Sequence, residues 1–195
     1  MIFESNKSYA ENLDSLDPLR SYRDKFFIPK NTKGEDLVYF AGNSLGLQPK
    51  TVRSYVEQEL KDWETMGVEG HMHAKHPWLP YHEYLTEQTA RLVGALPDEV
   101  VNMNSLTVNL HLMLVSFYRP IANRHKILIE SNAFPSDHYA LQSQIKFHGY
   151  DPAEALVEMK PREGESVIRT EDIEALIEKE GSSTALILFA GVNYY

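Results

Sequence analysis

The sequence predicts an α/β protein with a mostly parallel sheet, preceded by a helical N-terminal segment. Two observations predict it. Beyond about residue 100, short apolar runs alternate with amphipathic segments. Before that point, apolar residues recur at helical spacing instead.

Taken in chain order, Leu13, Leu16, Leu19, Tyr22 and Phe26 give one or two short amphipathic helices over residues 5–29, broken near Asp17-Pro18. Leu37-Val38-Tyr39-Phe40 is a short apolar run. It stops at Ala41-Gly42-Asn43-Ser44-Leu45-Gly46, a turn whose two glycines give backbone freedom. Pro49 is expected to open a long helix that puts Val52, Val56, Leu60 and Trp63 on one face and dies at Gly67. Residues 67–80 read as a loop dense in His and Pro, and Tyr84 to Leu96 as a helix with Leu85, Leu92 and Val93 inward. Strands are expected at Val100-Val101, Lys126 to Glu130, Ala155 to Met159 and Ala185 to Phe189. Helices are expected at Leu106 to Tyr118, Ser136 to His148 and Glu171 to Glu180. The chain stops a few residues past an apolar strand, where a ligand-binding loop normally follows, so it reads as the front portion of a longer protein.

The 195 residues include no cysteine, which excludes a disulfide scaffold, a thiolate metal site and a cysteine nucleophile. Asp and Glu outnumber Lys and Arg by 28 to 19, a net charge of −9 that repels phosphate backbones and argues against a nucleic-acid partner. No apolar run reaches the roughly 18 residues that span a bilayer. The polar, acidic N-terminus resembles neither a signal nor a transit peptide, so a cytoplasmic protein is expected.

Four segments carry residues suited to chemistry. Asn104-Ser105-Leu106-Thr107 begins a helix, and a helix N-terminus attracts anions such as phosphate, although a plain capped helix explains the same residues. Ala133-Phe134-Pro135-Ser136-Asp137-His138 follows a buried strand, where open α/β sheets bind ligands. Capping by Ser136 and a hydrophobic staple by Phe134 is the plainer alternative. His71, His73 and His76 crowd one short loop, but no acidic residue lies between Gly70 and Tyr81 and no i, i+4 pair is present. A histidine that holds a substrate carboxylate suits that loop better than a metal, and no metal site is expected. Gly42 to Gly46 offers Ser44 as a donor on a turn that needs no function to explain it.

Together and in order, these segments resemble the kynureninase family of pyridoxal-phosphate (PLP) hydrolases, which have the aspartate-aminotransferase-like fold. The stretches that carry the resemblance are YFAGNSLGLQPK at 39–50, GHMHAKHPW at 70–78, MNSLTVNLHLML at 103–114 and KILIESNAFPSDHYALQSQIKFHG at 126–149. MKPREGE at 159–165 and ALILFAGVNYY at 185–195 continue it. The resemblance implies an N-terminal helical arm with a substrate-pocket turn over 1–48. It also implies an incomplete PLP-binding large domain over 49–195, with the rest of that domain and the small domain beyond residue 195.

The resemblance further implies that Leu106 and Thr107 bind the cofactor phosphate, that Phe134 stacks on its ring, and that Asp137 stands beside that ring. Pro135 and Ser136 complete the segment, and Ser44 and His71 line the substrate pocket, by the same resemblance. Many relatives carry Ser or Thr where this chain has Ala190, which has no hydroxyl for the phosphate. None of the lysines sits in the family's Ser-Tyr-Lys context, so no catalytic residue is assigned and the Schiff-base lysine is expected beyond residue 195. The family's activity is cleavage of L-kynurenine or its 3-hydroxy form to anthranilate or 3-hydroxyanthranilate plus L-alanine, by a homodimer. The 195 residues alone are expected to be inactive. Two alternatives stand beside this: another PLP enzyme of the same fold, or a non-catalytic dimerisation module.

Overall fold

The computed structural model describes residues 3–192, so Asn193, Tyr194 and Tyr195, the end of the ALILFAGVNYY stretch, lie outside the described residues. The chain divides into two compact units, one up to Val100 and one from Val101 onward.

In the first unit, helix α1 (Lys7–Leu16) starts at Asn6, whose side chain accepts the Tyr9 N–H at 2.8 Å. It ends at Asp17, because the residue before a proline avoids helical backbone. A 3-10 turn (Arg20–Lys25) completes the expected helical arm. The chain then leaves and returns: Phe27 N–H donates to Gln48 O and Lys50 N–H to Lys25 O, both at 2.9 Å, closing a loop. Pro49 belongs to this closure, bridging Phe26, and does not open the helix that follows. That helix, α2, runs Val52–Met66 behind Thr51 and stops at Gly67, whose φ of 53° is costly for any residue with a Cβ.

Residues 67–80 carry more structure than a loop, with a 3-10 turn (Gly67–Glu69) and a single helical turn α3 (Gly70–His73). Helix α4 is shorter than its periodicity suggests (Thr86–Val93) and ends at the left-handed Gly94. The inward face expected for it is not buried: Leu85, Leu92 and Val93 are 59%, 87% and 65% exposed, and Ala90 is the residue packed inside. Periodicity marks a face that gains from burial but supplies no partner for it. Within its unit α4 packs chiefly on the Pro97–Glu99 turn.

The second unit follows the expected alternation. Val100-Val101 is not a strand, since no neighbouring strand pairs with it among the described residues. Next come α5 (Leu106–Phe117), β1 (Lys126–Glu130), α6 (Pro135–Phe147), α7 (Pro152–Ala155), β2 (Leu156–Met159), α8 (Thr170–Glu180) and β3 (Thr184–Leu188). The three strands form one parallel sheet in the order β2-β1-β3. As the middle strand, β1 is covered on both faces, and Ile127, Leu128 and Ile129 are fully buried. Leu114 of α5 and Ala140, Leu141 and Ile145 of α6 complete the core around Ile127 and Ile129.

Tyr118, directly after α5, is the largest buried side chain. Its hydroxyl donates to His125 O at 2.6 Å, and burial, aided by Tyr150, pushes its phenol pKa up to about 12. Its ring meets the edge of His148, just past α6, at 5.3 Å. The C-terminal ends of α5 and α6 therefore sit together near the start of β1. Because the two helices also pack along their lengths, both point their N-terminal turns toward the carboxyl edge of the sheet. Among the described residues, no helix is long and apolar enough to cross a membrane.

Candidate functional site

The carboxyl edge of a parallel sheet is where open α/β folds bind ligands. Here the ends of β1 and β3 border a cavity of about 310 Å³, lined by Glu130, Ser131, Asn132, Phe189 and Ala190. Pro161, Ser166, Val167 and Ile168, from the connection after β2, form another wall. Ser131 N–H donates to Met159 O at 2.8 Å, so β1 stays tied to β2 as the chain turns into α6. Across the sheet, the Glu130 carboxylate accepts the Ala190 N–H at 3.4 Å. Ala190 thus engages through its backbone where a hydroxyl is absent.

The wall after β2 is held by ion pairs. Arg162 makes a two-pronged contact with Asp172 in the first turn of α8, at 2.8 and 2.7 Å, and Arg169 grips Glu165 with both prongs. The Arg162 guanidinium holds the Asp172 carboxyl below the usual carboxylate range. Arg162 is exposed and Asp172 only half-buried, so water screens much of this attraction.

Leu106 and Thr107 occupy the first turn of α5 and are exposed. Ser105 stands at the N-cap with extended backbone, yet its side chain makes no capping bond. The first-turn N–H groups and the positive end of the helix dipole therefore face outward with the Thr107 hydroxyl beside them. The α6 terminus is built differently from the capping expectation. Phe134 is the N-cap, Pro135 the first helical residue, and Ser136 and Asp137 follow inside the turn. Ser136 makes no cap. Its hydroxyl lies 3.5 Å from Asp137 Oδ1, while Asp137 N–H donates to Phe134 O at 2.9 Å. Phe134 is 57% exposed, so its ring is open for stacking and does not act as a staple. The uncapped first turn of α5, an open aromatic ring and a half-buried carboxylate thus share one edge of the unit.

Ser44 and His71 belong to the N-terminal unit, and both are exposed. Ser44 lies in a turn closed by its own N–H to Ala41 O at 3.0 Å and by the Tyr39 hydroxyl on Leu45 O at 2.6 Å. Neither Gly42 nor Gly46 uses positive φ, so the glycine freedom expected there is not needed for this turn. His71 donates from Nδ1 to Val68 O at 2.9 Å, which leaves Nε2 of the neutral ring as an acceptor. The segment after it is anchored on α2. Glu59 accepts from His76 Nδ1 at 3.0 Å and from Trp78 Nε1 at 2.8 Å, and the buried Asp62 accepts Lys75 N–H at 3.1 Å. The histidines serve separate partners, and among the described residues no group of side chains gathers to hold a metal.

Two features escaped sequence reasoning. Glu59 and Asp62 lie one helical turn apart on α2, but the residues they anchor in the 75–78 segment are more than ten positions away, so spacing gave no signal. His138 stands beside Asp137 in the motif, yet its partner Glu158 comes from β2.

The second unit is an α/β unit with a small parallel three-stranded sheet, flanking helices and helix N-termini gathered at the carboxyl edge, the layout in which such proteins bind small ligands. No family model matches the chain. Curated relatives do. A kynureninase of Koribacter versatilis is 65% identical over 192 residues, covering 98% of this chain and 45% of its own length. One of Myxococcus xanthus is 58% identical over 193 residues (99% and 45%), and one of Christiangramia forsetii 54% over 195 (100% and 46%). The chain is similar to these kynureninases along nearly its whole length and spans a little under half of theirs.

Proposed function

We propose that this chain is the N-terminal part of a PLP-dependent hydrolase that cleaves the Cβ–Cγ bond of L-kynurenine or 3-hydroxy-L-kynurenine, consuming one water and releasing anthranilate or 3-hydroxyanthranilate plus L-alanine. The observation that carries the proposal is the 54–65% identity to proteins named kynureninase along nearly the whole chain. The donor set fits the cofactor. A phosphate suits the uncapped, exposed first turn of α5, and a flat pyridine ring suits the open face of Phe134.

In this reading Leu106 and Thr107 hold the phosphate through N–H and hydroxyl donors. Phe134 stacks on the ring, with Pro135 and Ser136 shaping that segment. Asp137 supplies negative charge that favours a protonated ring nitrogen. Bound PLP supplies an electron sink for the carbon undergoing cleavage. Ser44 and His71 orient the substrate, His71 through Nε2, since its Nδ1 is engaged by Val68 O. Residues 1–48 act as an arm and pocket turn, and 49–195 as part of the cofactor-binding domain. The working protein is a cytoplasmic homodimer whose cofactor-bearing lysine is not among these 195 residues, so this chain alone is inactive.

The test measures anthranilate from kynurenine and PLP affinity, using the full-length protein and the 195-residue chain side by side. Full-length protein is expected to turn over and the shorter chain not to. Thr107→Val in the full-length protein should weaken PLP binding by about tenfold or more, the loss of one hydrogen bond to a charged group. Turnover by the 195 residues alone, or unchanged PLP affinity in the Thr107 variant, refutes the corresponding part.

A further inference from the structure

We propose that His138 is a positioning residue. Paired with Glu158 of β2, it pins the first turn of α6 and so keeps Phe134 and Asp137 in their binding geometry. The inference rests on the cofactor reading above and adds a residue which that reading leaves without a role.

His138 directly follows Asp137 in α6, and its side chain is only 16% exposed, while the next residue, Tyr139, is 72% exposed. Its Nδ1 lies 3.6 Å from Glu158 Oε1. Glu158 is exposed on the edge strand β2, but its backbone is opposite the buried Ile129 in the parallel ladder, so β2 is held against the central strand of the core. The first turn of α6 needs such a tie. No side chain caps it, Pro135 contributes no N–H, and its ring-bearing residue Phe134 is open.

Other charges share the surroundings. Asp137 is the neighbouring residue on α6, and Lys160 Nζ lies 3.9 Å from Glu158 Oε2. Lys146 and Asp151 line the adjacent groove with Glu158. Since Lys160 keeps Glu158 paired on its other oxygen, loss of His138 loosens α6 without leaving the carboxylate isolated. The consequence therefore falls on the helix turn and what it carries.

The test uses the full-length protein and the variants His138→Gln, His138→Asn, Glu158→Gln and the His138→Gln/Glu158→Gln double. An asparagine amide nitrogen falls near the position of the imidazole Nδ1, whereas a glutamine amide reaches past it. Two readouts apply: PLP affinity by absorbance titration, and hydrogen exchange of the amides of residues 136–139. His138→Gln and Glu158→Gln are each expected to weaken PLP binding about tenfold, with the double variant no weaker than either, as for two members of one contact. His138→Asn is expected to stay within about threefold of the parent, and exchange should quicken in Glu158→Gln. Additive losses, an asparagine variant as weak as the glutamine one, or unchanged affinity in both single variants overturns the proposal. If the parent itself binds no PLP, the cofactor reading falls and exchange alone judges the tie: unchanged exchange in Glu158→Gln then overturns it, and quicker exchange supports it.

Discussion

Replacing Gly70 with alanine tests how the His71 segment is built. Gly70 opens α3, and a Cβ placed on it would lie 2.4, 2.6 and 2.8 Å from three carbons of the Trp78 ring. Ordinary contact begins near 3.4 Å, so the indole must retreat by roughly 1 Å. It is not free to do so. Its N–H donates to Glu59 Oε2 at 2.8 Å, and its ring meets the edge of His71 at 5.3 Å.

Giving up the bond to the Glu59 carboxylate costs about 1.5–3 kcal/mol. The helical gain of alanine over glycine returns about 0.5–1 kcal/mol. Gly70→Ala should therefore destabilise the protein by about 1–2 kcal/mol, more if the ring cannot move and overpacking adds its own ~1–3 kcal/mol. Urea unfolding measures this. Tryptophan emission in a Trp63→Phe background reports on Trp78 alone, because the chain has two tryptophans. A red shift is expected in the 195-residue chain; in the full-length protein, the substrate role proposed for His71 predicts a raised KM for kynurenine. In a Trp78→Ala background the same change should be neutral or stabilising. A loss under about 0.5 kcal/mol with unshifted emission would refute the packing argument.

Two further predictions concern the folded units themselves. Leu141→Ala, in the sealed core under β1, should cost about 2–5 kcal/mol, whereas Leu92→Ala, 87% exposed on α4, should change stability by less than about 0.5 kcal/mol in chemical denaturation of the 195-residue chain. Tyr118 gives an alkaline signature. Its phenol holds its proton to about 12 in the folded state but ionises near 10 when unfolded, so the unfolded state binds fewer protons in that window. Stability should be untouched by this group below pH about 10 and fall by up to about 1.4 kcal/mol per pH unit between 10 and 12. Tyr118→Phe should flatten that fall while losing about 1 kcal/mol at neutral pH, since His125 O gives up its hydroxyl donor.

Much of the second unit was legible from local pattern. Lys126 to Glu130 is a run of residues buried on both faces, and such a run has few alternatives to a central parallel strand. Helices α5, α6 and α8 appear within a residue or two of their expected limits, because each has a long apolar period and a sharp boundary. Pattern misled where it implied a partner. Leu85, Leu92 and Val93 form a credible helix face, but burial depends on what packs there. Val100-Val101 has strand residues, but a strand exists only when another lies beside it.

The candidate site divides the same way. Its residue types were readable in order along the chain, since a helix start, an aromatic and an acid are local features. Which of them share an edge was not, because that depends on α5 and α6 both ending at the Tyr118–His148 contact. Long-range partners were invisible for the same reason: Trp78 on Glu59, Ala190 on Glu130 and His138 on Glu158 join residues 19, 60 and 20 positions apart. Local sequence sets backbone preference and chemical type, through sterics and hydrogen-bonding capacity. Who meets whom is settled by how the helices and strands pack into a close-fitting core, and that depends on all of them at once.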